Sequence, residues 1–167
     1  YQDALVLTCD AGAYQCPWFA AAYRGRGRDL ETLGGMRAGE YHSPANVYTI
    51  VTAMLGLRPN AHEGKVTGLA ARGSATEERV ADFERRMLPL VSHLGDLLQW
   101  DMNWSGEMPP LISVNVERAR QWRHDFGDYS DADLAACVQA WAEIQAGKML
   151  DRAIALCGED IPKSLCL

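Results

Sequence analysis

The stretch HEGKVTGLA, His62 to Ala70, follows the apolar run VYTIVTAMLGL and places a glycine beside a lysine, a pairing suited to phosphate. The Lys65 ammonium offers a point charge, and Gly64 and Gly68 carry no Cβ to hold a ligand away from the backbone. The P-loop, G-x-x-x-x-G-K-[ST], is the nearest template, with backbone N–H groups around the phosphates and a hydroxyl on magnesium. This chain departs from it at both ends, with Pro59 at the first glycine and Val66 at the hydroxyl. A nucleotide contact here needs another architecture. Glu63 adds an acceptor for a ribose hydroxyl, although an acid at a helix start is also explained by the helix dipole alone. The competing reading of Lys65 is a solvent-facing lysine at the start of a helix.

A second group worth weighing is Asp10, which ends the apolar run ALVLTC, so that a strand there delivers a carboxylate at its tip. Such an acid starts a turn, caps a helix or binds a metal ion. His42, His62, His93 and His124 show no H-x-x-x-H spacing, and no self-contained metal site is expected from them. Only His62 adjoins the Gly-Lys pair. Trp100, Trp104 and Trp122 either line a substrate face or pad the edge of a core. The run Arg24-Gly25-Arg26-Gly27-Arg28 has no interleaved aromatics and reads as a solvated hairpin turn, not as a nucleic-acid strip.

Bulk properties narrow the partners. The 167 residues suit one domain, and 22 acidic against 16 basic residues give a net charge of -6, which argues against broad attraction to nucleic acid or to an anionic membrane. A small-molecule substrate or a protein partner is expected. Five cysteines without a C-x-x-C read as reduced, mostly packed thiols of a cytoplasmic protein, with Cys9, Cys137 and Cys166 in apolar surroundings. No apolar run approaches the roughly 20 residues of a membrane span.

The elements that must position these groups follow from period and punctuation. ALVLTCD, WFAAAYR and LETLGGM read as three strands joined by tight turns. In SPANVYTIVTAMLGL, Ser43 is placed to cap a helix with Pro44 first, Val47, Ile50, Val51, Met54 and Leu55 inward, and Gly56 at its close. RPNAHEG is then a loop, and Lys65 to Arg72 a short helical turn between Gly64 and Gly73. Thr76 caps a helix with Val80, Phe83, Met87 and Leu90 on its apolar stripe, interrupted or ended near Pro89. LQWDMNWSGEMPPLISVN has no clear period and reads as irregular, with a possible strand at its start. VERARQWRHDFG offers a short helix, and Ser130 caps a long one carrying Leu134, Val138, Trp141, Met149, Ala153 and Leu156 inward. Gly158 ends it and KSLCL starts another strand. A three-strand meander followed by helices and a further strand is the plan of a partial ribonuclease-H-like, actin-type ATPase domain, an α/β fold.

LGLRPNAHEGKVTGLAARG is similar to the LGF-x-P-x-x-x-E-x-KVMGLAPYG signature of the O-carbamoyltransferase family, which includes nodulation-factor and antibiotic-tailoring enzymes. VLTCDAGA resembles that family's strand ending in D-G-x-G. DLAACVQAWAEIQAGKMLDRAIALCG with SLCL resembles its helix leading to an LCLAGGVALN strand and loop. The resemblance implies transfer of a carbamoyl group to a substrate hydroxyl through carbamoyl adenylate, made from carbamoyl phosphate and ATP, with a divalent metal ion, iron or magnesium, assisting. It implies that Asp10 is a metal ligand and that Gly12, Glu63, Gly64, Lys65 and Gly68 contact the nucleotide. Ala11, Thr67 and the Ala71-Arg72 pair depart from the pattern, standing where it has Gly, Met and Pro-Tyr.

The family's metal-binding histidines, the second metal-site acid, the glycine loop after LCL and the adenylate-forming domain have no counterpart in these 167 residues, so a single partial domain, 1–167, inactive alone, is expected. Exposed strand edges then make a homodimer possible. The alternatives are another actin-like ATP enzyme, of the tRNA threonylcarbamoyl-transfer or sugar-kinase kind, and a non-catalytic interaction module of the same fold.

Overall fold

Residues 2–9, 18–37, 43–91, 98–100, 112–114 and 116–167 are described by a computed structural model, in which the chain is α/β. The strands are β1 (Ala4–Cys9), β2 (Trp18–Arg26), β3 (Asp29–Arg37), β4 (Leu98–Trp100), β5 (Ile112–Val114) and β6 (Leu165–Cys166). The α-helices among the described residues are α1 (Pro44–Met54), α2 (Glu63–Ala70), α3 (Glu77–Val91), α4 (Val116–Trp122) and α5 (Asp131–Leu156). The chain divides into two compact units, Tyr1–Pro44 with Glu143–Leu167, and Ala45–Ala142.

The first unit is built on a mixed sheet of order β3-β2-β1-β6, in which the first three strands are antiparallel neighbours and β6 runs parallel to β1. Arg26 pairs with Asp29, leaving Gly27 and Arg28 as a two-residue turn; Gly27, at φ +60°, supplies the positive angle at the first turn position. Directly opposed residues share a face, so the pairs Leu7↔Ala22 and Cys9↔Ala20 place Leu7, Ala20 and Ala22 on one side with Leu5. These residues are buried with Met36, and Met149 and Ala153 of α5 complete the cluster. Gly34 leaves the space that Leu156 takes, since a Cβ there would lie 3.0 Å from Leu156 Cδ1.

Arg24 is not solvated, contrary to the expectation for the arginine-glycine run. Only Gly27 and Arg28 form the turn, so Arg24 falls inside the paired strand opposite Leu5 and is 7 % exposed. Its guanidinium donates to both Asp3 carboxylate oxygens at 2.9 and 2.7 Å and to the Asp160 carbonyl at 2.9 Å. The Leu5 N–H donates to the Ser164 carbonyl at 2.9 Å, joining β6 to β1.

In the second unit the caps fall where the sequence puts them. Gly56, at φ +72°, donates to the Ala53 carbonyl and Leu57 to the Thr52 carbonyl, each at 3.0 Å, which is the Schellman closure of α1. Thr76 Oγ1 accepts the Arg79 N–H at 3.3 Å, and Ser130 Oγ accepts the Asp133 N–H at 3.1 Å. The core joins Val47, Ile50 and Val51 of α1 to Phe83 and Met87 of α3, Phe126, and Leu134, Val138 and Trp141 of α5. Phe83 is at its centre, with ring centroids 5.9 Å from Phe126 and 6.3 Å from Trp141. Trp122 packs against this cluster as padding.

Two local expectations change, and the possible strand at the start of LQWDMN is met by β4, with β5 as an addition. Pro89 lies inside α3 without ending it, because its missing N–H removes one bond in a last turn that closes at Val91. The stretch from Leu98 holds two paired strands, Leu98↔Val114 to Trp100↔Ile112, each three residues long and so too short for alternation to show. Trp104 lies outside the described residues. Cys9, read as packed, is exposed at the end of β1, whereas Cys137 is fully buried. Among the described residues no helix is long and apolar enough to cross a membrane.

Candidate functional site

The segment that carries the Gly-Lys pair is helical from Glu63, two residues before the expected start at Lys65. The His62 carbonyl accepts the Lys65 N–H at 2.9 Å, and the Glu63 carboxylate turns back onto the Asn60 N–H at 2.6 Å, so the first turn closes around Gly64 instead of after it. Asn60, at φ +59°, makes the left-handed step into that turn, one of the few residue types that take it readily.

Val66 fixes which way α2 faces. It is 0 % exposed and belongs to the core of the second unit. Gly64, Lys65 and Gly68 are exposed. Residues four apart share a helix face, so Gly64 and Gly68 stand one above the other, with Lys65 beside them and Val66 turned the opposite way. A Cβ built on Gly64 or Gly68 meets nothing within 4 Å. No neighbouring side chain or backbone requires a glycine at either place, and both lie open to a group approaching from solvent. The structure thus brings Glu63, Gly64, Lys65 and Gly68 together on one short helix. Asp10 and Gly12 lie outside the described residues; β1 ends at Cys9, immediately before Asp10.

Around α2 several polar side chains are already engaged. Thr67, which stands where the carbamoyltransferase pattern has Met, places Oγ1 2.8 Å from the Tyr48 hydroxyl, and that hydroxyl donates to Gln139 Oε1 at 2.9 Å. This joins α2 to α1 and α5 by a chain of hydroxyl and amide groups. His62 Nδ1 accepts the Arg58 N–H at 3.2 Å, and its Nε2 lies 3.2 Å from Lys65 Nζ.

The glycine that ends the signature, Gly73, has a packing role. Its ideal Cβ would lie 2.0 Å from the Ala132 carbonyl oxygen, so only a glycine lets the two backbones meet. One residue on, the Ser74 N–H donates to Asp133 Oδ1 at 2.8 Å, and Arg79 Nη1 meets Asp133 Oδ2 at 2.7 Å. The Arg79 guanidinium, with the N–H of Ser74 and the Ser130 hydrogen bond, holds the Asp133 carboxyl down at about 2. The sequence offered Gly73 only as a helix boundary and gave no sign of the Asp133 clamp, whose partners lie far along the chain.

Elsewhere in the second unit an open groove of about 540 Å³ is lined by Glu78, Arg79, Ala81, Asp82, Arg85, Asp128 and Tyr129. Its charges engage one another. Asp82 accepts from the Tyr129 hydroxyl at 2.8 Å and pairs with Arg85 and Arg86, while Arg86 holds Asp128 with two bonds at 2.7 and 3.0 Å. Burial pushes the Asp82 carboxyl up, but these donors outweigh it and leave it below the ordinary carboxylate range. Such a mutually neutralised net holds α3 to the turn after Phe126.

Among the described residues no group of three or more His, Cys, Asp or Glu side chains is arranged to hold a metal ion. No model of a known protein family matches the chain, and no curated protein matches it either.

Proposed function

We propose that the chain is part of an ATP-dependent O-carbamoyltransferase, built on the ribonuclease-H-like plan of an actin-type ATPase domain, and that α2 supplies its nucleotide contact. The observation that carries this reading is the open face of α2, where Gly64, Lys65 and Gly68 of the family-like signature stand together with free space at both glycines. The strand order supports the fold: an antiparallel β1-β2-β3 meander with β6 parallel beside β1 is what that plan requires. On this reading Gly64 and Gly68 admit phosphates to the helix surface and Lys65 supplies the charge. Glu63, with Oε1 held by Asn60, offers its other oxygen to a ribose hydroxyl. ATP would supply the adenylate: the carbamoyl group of carbamoyl phosphate would be joined to the α-phosphate with loss of phosphate and pyrophosphate, and would pass to a hydroxyl with release of AMP. Asp10, next after β1, is the proposed metal ligand, for magnesium or iron, and Gly12 a further nucleotide contact.

The test uses the full-length protein. Lys65→Ala is expected to raise the Kd for ATP about tenfold, equivalent to ~1.4 kcal/mol, because it removes a charge without adding bulk. Asp10→Asn is expected to lower metal content and carbamoyl transfer and to leave ATP affinity near that of the parent. A full-length protein that neither binds ATP nor consumes carbamoyl phosphate in its presence overturns the reading.

A further inference from the structure

We draw no further inference here: the strongest candidate, the pair of exposed leucines Leu165 and Leu167 at the β6 edge of the first unit's sheet, is an unpartnered apolar edge, and nothing among the described residues shows what covers it.

Discussion

The backbone of Gly73 meets the carbonyl of Ala132 so closely that a methyl group on Gly73 would stand 2.0 Å from the oxygen. Both sides of the contact are backbone, so neither relieves the clash by rotating a side chain. Gly73→Ala is therefore expected to destabilise the protein by about 3 kcal/mol, at the upper end for overpacking, seen as a lower urea midpoint with an unchanged slope.

The other two glycines of the same stretch are expected to behave in the opposite way. Gly64→Ala and Gly68→Ala put a methyl group into open space on a helix, and each should stabilise the fold by about 0.5–1 kcal/mol through helix propensity. The same methyl groups fill the face proposed to receive phosphate, so affinity for ATP should fall. Urea unfolding and ATP titration of each variant check the pair of effects; a rise in stability with unchanged affinity removes these glycines from the site.

How much of this was legible in advance depends on whether the signal is local. Pro44 and Gly56 bounding α1, Thr76 and Ser130 as caps, and Gly158 after α5 act through atoms within a few residues, and each was readable. The start of α2 was not, because His62 caps it without a side-chain bond and the turn depends on Asn60 entering the left-handed region. Arg24 was misread because its partners, Asp3 and Asp160, lie 21 and 136 residues away. Of the site, only the residue types are legible in the sequence; the open space at Gly64 and Gly68 and the crowding at Gly73 are tertiary facts.

Asp133 makes stability depend on acid. Its folded carboxyl, held by Arg79, titrates at about 2 against an ordinary 3.8, so it is ionised in both states above 3.8 and its stabilisation is fully present there. As pH falls from 3.8 to about 2, the unfolded chain takes up the proton first, and the contribution is lost. Asp133→Asn should be less stable than the parent at neutral pH, with the gap closing across that window. Urea midpoints measured from neutral pH down through it check the sign; a gap constant with pH counts against the ion pair.

Arg24 joins Asp3, ahead of β1, to Asp160, ahead of β6. Arg24→Leu should loosen the segment from Cys157 to Ser164, because it removes the guanidinium that holds both the carbonyl and the carboxylate of Asp160. Arg24→Lys should restore the native behaviour only in part, since one ammonium does not reproduce a planar fork. Protease cleavage between residues 157 and 164, timed in both variants, reads this directly. Cleavage as slow in Arg24→Leu as in the parent would sink the assignment.

Helix α2 is eight residues long, contains two glycines and has Val66 as its one fully buried residue. Isolated helices shorter than about 12–15 residues are marginal in water, so α2 persists chiefly because Val66 is pegged into the core, with Leu69 and Ala70 packed partly against it. Its opening is expected to be a local equilibrium, set below the free energy of global unfolding, which native-state hydrogen exchange checks. An occupant that requires the helix formed gives up part of its binding energy to order it, and in return holds it closed in proportion to its saturation. On the proposed function the same peptide is both recognition surface and reporter: slowed deuterium uptake at the amides of Val66 and Leu69 would register a ligand even when no side chain changes rotamer.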